Sequence, residues 1–253
     1  MSKKKKSAVF VIIRAIVKLF YPKMRLVNAE NIPPSEAVLV GNHCLMNGPI
    51  CAELYLPENC YTWCAGQMMR LRDVPEYAFN DFWSQKPSYL KPFYRVLSYL
   101  IAPLSVSIFN SARTVCVYHD MRILSTFKNS VNMLKDGKNI VIFPEKDEVC
   151  NNIVYKFQDR FVDVAKLYYK TNGTRLTFVP MYISPKLKSI FIGEGIEFDT
   201  ESDIADERTR ICEYLSNEIT ALARSLPKHT VVPYRNLSKK HFLTNKDVTE
   251  VPE

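Results

Sequence analysis

The sequence predicts an α/β fold: a mostly parallel or mixed central sheet flanked by helices, preceded by an amphipathic helix suited to a membrane interface. Three observations carry this. The short apolar runs at 37–41, 60–65, 139–143, 176–183 and 188–192 have the length and β-branched character of buried strands. They alternate with longer stretches of helical periodicity, which is the order that builds sheets covered by helices. The first 25 residues combine a lysine run with an apolar segment and hold no acidic side chain.

The N-terminal segment comes first. Ala8–Ile13 and Ala15–Val17 are apolar, but Arg14 and Lys18 interrupt them at i,i+4 spacing. A helix spanning a bilayer needs about 20 uninterrupted apolar residues. A secretory leader would need an unbroken apolar region and a small-residue cleavage site. A helix lying in the interface accommodates both charges on one face. Lysines 3–6 would meet anionic head groups at about 1 kcal/mol per charge. The alternative is a helix packed on the protein's own core with a solvated lysine tail.

Asn31–Ser35 breaks the chain before strand 37–41. Pro49 suits the first turn of a helix reaching about Leu56, capped by Asn47 or Gly48. Strand 60–65 follows. Residues 66–104 mix aromatic, basic and proline side chains, as in irregular helical segments that cover something apolar. Next come strands 105–109 and 113–118, and a helix from Asp120 to a stop at Gly137. Strand 139–143 leads into Phe143-Pro144-Glu145. A helix over 156–170, strands 176–183 and 188–192, and a strand-like pair at Ile196 and Phe198 continue the pattern. The last helix, about 202–225, has acids in its first turns and Pro227 beyond its end. The polar tail from Lys228 reads as extended or loosely attached. The domains expected are a membrane-associating helix (1–25), an α/β domain (26–226) and a polar tail (227–253).

Composition narrows the function. The chain has 253 residues, 47% hydrophobic and 24% charged. That suits one globular domain with appendages. The net charge of +8 equals the contribution of residues 1–25. A nucleic-acid-binding domain would spread its cations over the folded body, so no nucleic-acid partner is expected. The seven cysteines are odd in number and several lie in apolar runs, which points to reduced thiols rather than a disulfide framework. Cys60-x₃-Cys64 lacks a second close pair at zinc-finger spacing, so no metal is expected. The compartment is then the cytosol or the cytosolic face of a membrane.

His43 follows a strand and precedes a helix. An imidazole in that place is either a general base for a hydroxyl near neutral pH or a structural histidine that caps the turn. Glu145 likewise ends an apolar strand. In open α/β sheets ligands bind at such strand ends.

Together, Asn42-His43 with Pro49 six residues on, Phe143-Pro144-Glu145 and Phe178-Val179-Pro180-Met181-Tyr182-Ile183 resemble the glycerolipid acyltransferase family typified by lysophosphatidic acid acyltransferases. The resemblance implies an Asn-His-x-x-x-x-Asp-Pro motif whose histidine deprotonates an acceptor hydroxyl for attack on an acyl thioester. It implies a Phe-Pro-Glu-Gly-Thr motif whose glutamate holds the acceptor, and a basic residue that binds phosphate. The departures are specific. Gly48 stands where the family has its aspartate. Lys146 and Asp147 replace glycine and threonine. The basic position falls at His119, with Arg113 and Arg122 nearby. Phe157-Gln158-Asp159-Arg160 stands for Phe-Lys-x-Gly.

The expected activity is therefore acyl transfer by a peripheral membrane protein, a step in phospholipid biosynthesis and wider glycerolipid metabolism. The acyl group would pass from acyl-CoA or acyl-carrier protein to a glycerophospholipid-type hydroxyl, with no other cofactor. His43 is the base, oriented by Asn47 or a backbone carbonyl. Glu145 and Lys146 position the acceptor, and Arg113 or His119 binds its phosphate. Backbone amides near Gly48 would stabilise the oxyanion. The alternatives are a non-catalytic acyltransferase-like protein that binds lipid or acyl carrier, and a thioester hydrolase in which His43 activates water.

Overall fold

The computed structural model describes residues 6–84, 86–118, 122–146, 153–154, 156–234 and 239–247. In chain order the regular elements are α1 (Ala8–Phe20), β1 (Arg25–Val27), β2 (Ala37–Gly41), α2 (Asn47–Tyr55), β3 (Cys60–Ala65), α3 (Val74–Ala78), α4 (Lys91–Ser111), β4 (Thr114–Val117), α5 (Ile123–Lys135), β5 (Asn139–Ile142), α6 (Asp163–Asn172), β6 (Thr177–Ser184), β7 (Ser189–Ile192), β8 (Ile196–Glu197) and α7 (Ile204–Ser225). They form two compact units. The larger comprises Pro22–Thr62 and Phe127–Glu253, the smaller Met1–Tyr21 and Trp63–Thr126.

The larger unit holds a mixed sheet in the order β1-β7-β6-β2-β5-β3, with β8 beside β6. Strand β2 is central, parallel to both β5 and β6. It is buried along its whole length, as a strand covered on both faces must be. Pairing turns antiparallel at β6–β7 and β6–β8. Helix α7 packs on β6. Its buried positions Ile211, Leu215, Ile219 and Ala223 recur every four residues, the spacing of one helical face. The predicted mixed α/β sheet flanked by helices is the observed one.

Asn139 stitches the start of this sheet. Its Oδ1 accepts from Ala37 N–H at 3.0 Å and its Nδ2 donates to Pro33 O at 3.0 Å. A wholly buried amide is tolerated because both ends are satisfied.

The smaller unit is mostly helical. β4 belongs to it, and α4 packs against α3, α1 and the 3₁₀ turn Gly66–Met69. Ser7 Oγ caps α1 by accepting from Phe10 N–H and meets Ser107 Oγ of α4 at 2.7 Å.

Three expectations change. The strand expected at 105–109 is the last part of α4, which continues to Ser111 through Pro103. A β-branched run of that length does not by itself separate strand from helix. The helix expected from 156 begins later, as a 3₁₀ turn at Asp159–Val162 leading into α6, because 156–158 pairs with 144–146 instead. The described part of the tail, 227–234 and 239–247, is docked. Val231 N–H donates to Leu243 O and Asn245 N–H to His229 O, and Asn245 is wholly buried. Asp120, the cap expected for α5, lies outside the described residues.

Candidate active site

The loop leaving β2 is built by buried polar groups. Asn42 behaves as an extra strand residue: Ile183 N–H donates to its Oδ1 at 2.7 Å and its Nδ2 donates to Ile183 O at 3.1 Å. It also donates to Cys44 Sγ at 2.7 Å. Losing such a partner inside the protein costs on the order of 1–3 kcal/mol per orphaned group.

Cys44 and Leu45 both adopt left-handed backbone, with φ of 49° and 56°. That is costly for non-glycine residues and persists where surrounding bonds enforce it. Here Gly48 N–H donates to His43 O at 3.0 Å, and Asn47 donates to Cys44 O from both N–H (3.1 Å) and Nδ2 (2.8 Å). The loop closes so tightly that a Cβ at position 48 would sit 2.6 Å from His43 O. Glycine is therefore required by the fold of this loop. The carboxylate of the Asn-His-x-x-x-x-Asp-Pro pattern has no room here. The Asn47 and Gly48 amides are engaged within the loop, so the oxyanion donors expected at them are otherwise committed.

The same closure sets the histidine. His43 Nδ1 contacts Leu45 O. A carbonyl only accepts, so the proton lies on Nδ1 and the lone pair on Nε2. The tautomer that an aspartate would select is selected by a backbone carbonyl, one of the two orienting groups expected from sequence. Asn47, the other, has its amide on Cys44 O. The carbonyl supplies orientation without the full charge that would stabilise an imidazolium.

Glu145 is buried and accepts from His43 N–H through Oε1 at 2.6 Å. It holds the backbone under the imidazole from the end of β5. Its own strand end is fixed by Lys146 N–H donating to Lys156 O and Gln158 N–H to Pro144 O. The Lys146 side chain is exposed.

Two aromatic rings flank His43. Phe143 meets it edge-on at 5.6 Å between centroids, and Tyr234 lies tilted at 4.6 Å. Phe143 belongs to the Phe-Pro-Glu run. Tyr234 comes from the C-terminal segment, and nothing in the sequence marks it. That segment is anchored by His229, whose Nδ1 meets Pro227 O at 2.7 Å. Its Nε2 therefore accepts from Tyr182 O–H at 2.7 Å. Asn245 locks it further, taking His229 N–H on Oδ1 and donating to Ala223 O.

Cys44 is no nucleophile in this state. Burial first, then the nearby Glu145 and Cys51, push its thiol well above the ordinary range, against the Asn42 bond that lowers it. Among the described residues no three His, Cys, Asp or Glu side chains gather as a metal cage.

The larger unit thus brings together His43, Asn47 and Glu145, with Lys146 next in chain. Arg113 is half-buried in the smaller unit. His119 lies outside the described residues.

The chain matches no protein-family profile and no curated protein. Among solved structures it is similar to the crystal structure of the 1-acyl-sn-glycerophosphate (LPA) acyltransferase PlsC of Thermotoga maritima. The two are 17% identical, with a TM-score of 0.45, over 83% of this chain and 76% of that one. At that level the likeness carries no argument about the chemistry here.

Proposed function

We propose that this protein is an acyltransferase that moves a fatty acyl group from a coenzyme A or carrier-protein thioester to a hydroxyl of a glycerophospholipid-type acceptor. The observation that carries the reading is the His43 imidazole at the end of β2, with Nδ1 on the Leu45 carbonyl and Nε2 bearing the lone pair. Nε2 takes the acceptor hydroxyl proton as that oxygen attacks the thioester carbonyl. The C–S bond breaks, and the thiolate leaves with the proton returned by the imidazolium. Glu145 positions the histidine through its backbone amide. Lys146 is proposed to contact the acceptor phosphate. The protein is proposed to act peripherally on the cytosolic face of a membrane, attached by α1 and its preceding lysines.

Gly48 favours a second reading, a lipid- or acyl-carrier-binding protein without turnover, because it lacks the carboxylate that the family resemblance implies at that position. The test separates them. Purified protein is incubated with an acyl thioester and a panel of lysophospholipids, and products are read by mass spectrometry. Transfer by wild type that falls by about 10²–10⁴ in His43→Ala, with unchanged melting temperature, supports catalysis. Near-normal turnover in His43→Ala overturns the assignment. Binding without turnover in wild type selects the second reading.

A further inference from the structure

Helix α4 is inside out for a protein surrounded by water. Its buried positions are small: Ser98 (0% exposed), Ala102 (2%) and Ser105 (7%). Ala102 packs with Val74 and Ala78 of α3, and Ser105 Oγ donates to Met68 O at 3.2 Å. Ile101 and Val106 pack half-buried against this cluster, but another set of large apolar positions faces outward. Phe93 is 62% exposed, Val96 61% and Leu100 71%. At 100° per residue these three, with Leu104 and the preceding Tyr89, make one stripe nearly opposite Ser98, Ala102 and Ser105. An amphipathic helix in water turns its apolar stripe to the core and its polar one to solvent.

A second helix of the same unit shares the feature. α1 packs on α4, buries Phe10 and leaves Ile12, Ile16, Leu19 and Phe20 exposed. Most of the exposed large apolar side chains among the described residues lie on α1, on α4 or at Tyr89 just before it. A monomer in water rarely exposes so much contiguous apolar surface. Charge identifies the occupant. Residues 1–29 carry eight cations and no acid, and residues 82–118 carry Lys86, Lys91, Arg95 and Arg113 and no acid. Among the described residues the acids of this unit are Asp73, Glu76 and Asp81, on α3 and the residues flanking it. The two segments that carry the apolar stripes are themselves purely cationic, which is complementary to an anionic lipid interface. Tyr89 and Tyr99, both exposed, are the amphipathic aromatics that settle at head-group depth.

We infer that α4 lies in the membrane interface as the main hydrophobic insertion element of this protein, with Phe93, Val96 and Leu100 in the acyl boundary and α1 beside it. This rests on the peripheral attachment proposed above and assigns it to an internal helix. The segment Ser88–Ser111 is long and apolar enough to cross a bilayer. Its inner face, however, is engaged with α3 and Met68, which fits a helix lying in the plane of one leaflet.

The test uses the full chain and vesicles of phosphatidylcholine, with or without phosphatidylglycerol. The triple variant Phe93→Gln, Val96→Gln, Leu100→Gln keeps its melting temperature, because the side chains are exposed. It loses affinity for both vesicle types on the order of a thousandfold, since each of the three inserted side chains contributes on the order of tenfold. Replacing Lys3–Lys6 with Gln weakens binding to the anionic vesicles alone. Wild-type binding by the triple variant overturns the inference. So does a wild type that ignores both vesicles and sediments as a dimer that the triple variant dissolves. An α4 fragment protected from protease added outside the vesicles would mean a spanning helix and also overturns it. Acyl transfer to a dispersed short-chain lysophospholipid reports on His43 separately, so failure of the chemistry and failure of the anchor are told apart.

Discussion

Val38, Leu39 and Val40 of β2 are wholly closed to solvent, while Phe93, Val96 and Leu100 of α4 are each more than half exposed. Both triplets are large and apolar. The larger unit uses such residues to bury a strand that ends in polar, chemically capable groups. In the smaller unit, α4 turns Ser98, Ala102 and Ser105 inward instead and leaves Phe93, Val96 and Leu100 outside. An apolar run therefore states only that some surface will avoid water. Whether the partner is the protein's own core or a lipid phase depends on which face the neighbouring elements claim.

The largest effect expected from breaking this contrast is on stability. Leu39→Ala removes a wholly buried side chain from the central strand and costs about 2–5 kcal/mol. Leu100→Ala trims a side chain that is 71% exposed and changes stability by no more than about 0.5 kcal/mol. Urea titration of both variants measures the difference. If Leu100→Ala costs as much as Leu39→Ala, the exposed stripe of α4 is covered in solution, and the contrast between the two units collapses.

Much of the larger unit was legible in sequence because its strands are short apolar runs bounded by turn residues. Strand 37–41, strand 60–65 and the run into Glu145 stand where they were expected, and Asn42, His43 and Glu145 do converge. What sequence could not supply is of three kinds. The left-handed pair Cys44-Leu45 has no glycine to announce it, so the carbonyl that meets His43 Nδ1 was expected only as a class of group. Tyr234 reaches His43 across 191 residues of chain, with no periodicity to mark it. The exposed stripe of α4 has the spacing of an ordinary core-facing helix. Only the burial of Ser98, Ala102 and Ser105 shows that the core lies on the other side.

An intermediate effect comes from Gly48, which looks from sequence like a missing aspartate. In the structure Gly48→Asp forces a Cβ to within 2.6 Å of His43 O. Relieving that contact shifts the loop carrying the base. The expected cost is about 1–3 kcal/mol in stability. Any acyl transfer activity falls on the order of a hundredfold, because small displacements of a catalytic group are that expensive. Melting temperature and transfer rate are measured together. A rise in rate with unchanged stability would show that the loop opens easily and that a carboxylate can rejoin the imidazole there.

The smallest effect, and the one that sharpens the picture of the larger unit most, is at Tyr234. His43 is held on Nδ1 by the Leu45 carbonyl and flanked by Phe143 and Tyr234, so these contacts confine its ring. The contact with Tyr234 depends on the C-terminal segment staying docked through His229 and Asn245. An aromatic pair of this kind contributes about 0.5–1.5 kcal/mol, which corresponds to roughly a two- to tenfold change. Tyr234→Ala therefore lowers kcat by about that factor and leaves KM for the acceptor nearly unchanged, since the loss is in the orientation of the base. Tyr234→Phe keeps the ring and restores the rate. A gain in kcat with Tyr234→Ala would reverse the reading: the ring would then be an obstacle before Nε2, and the docked C-terminal segment a cover that substrates must displace.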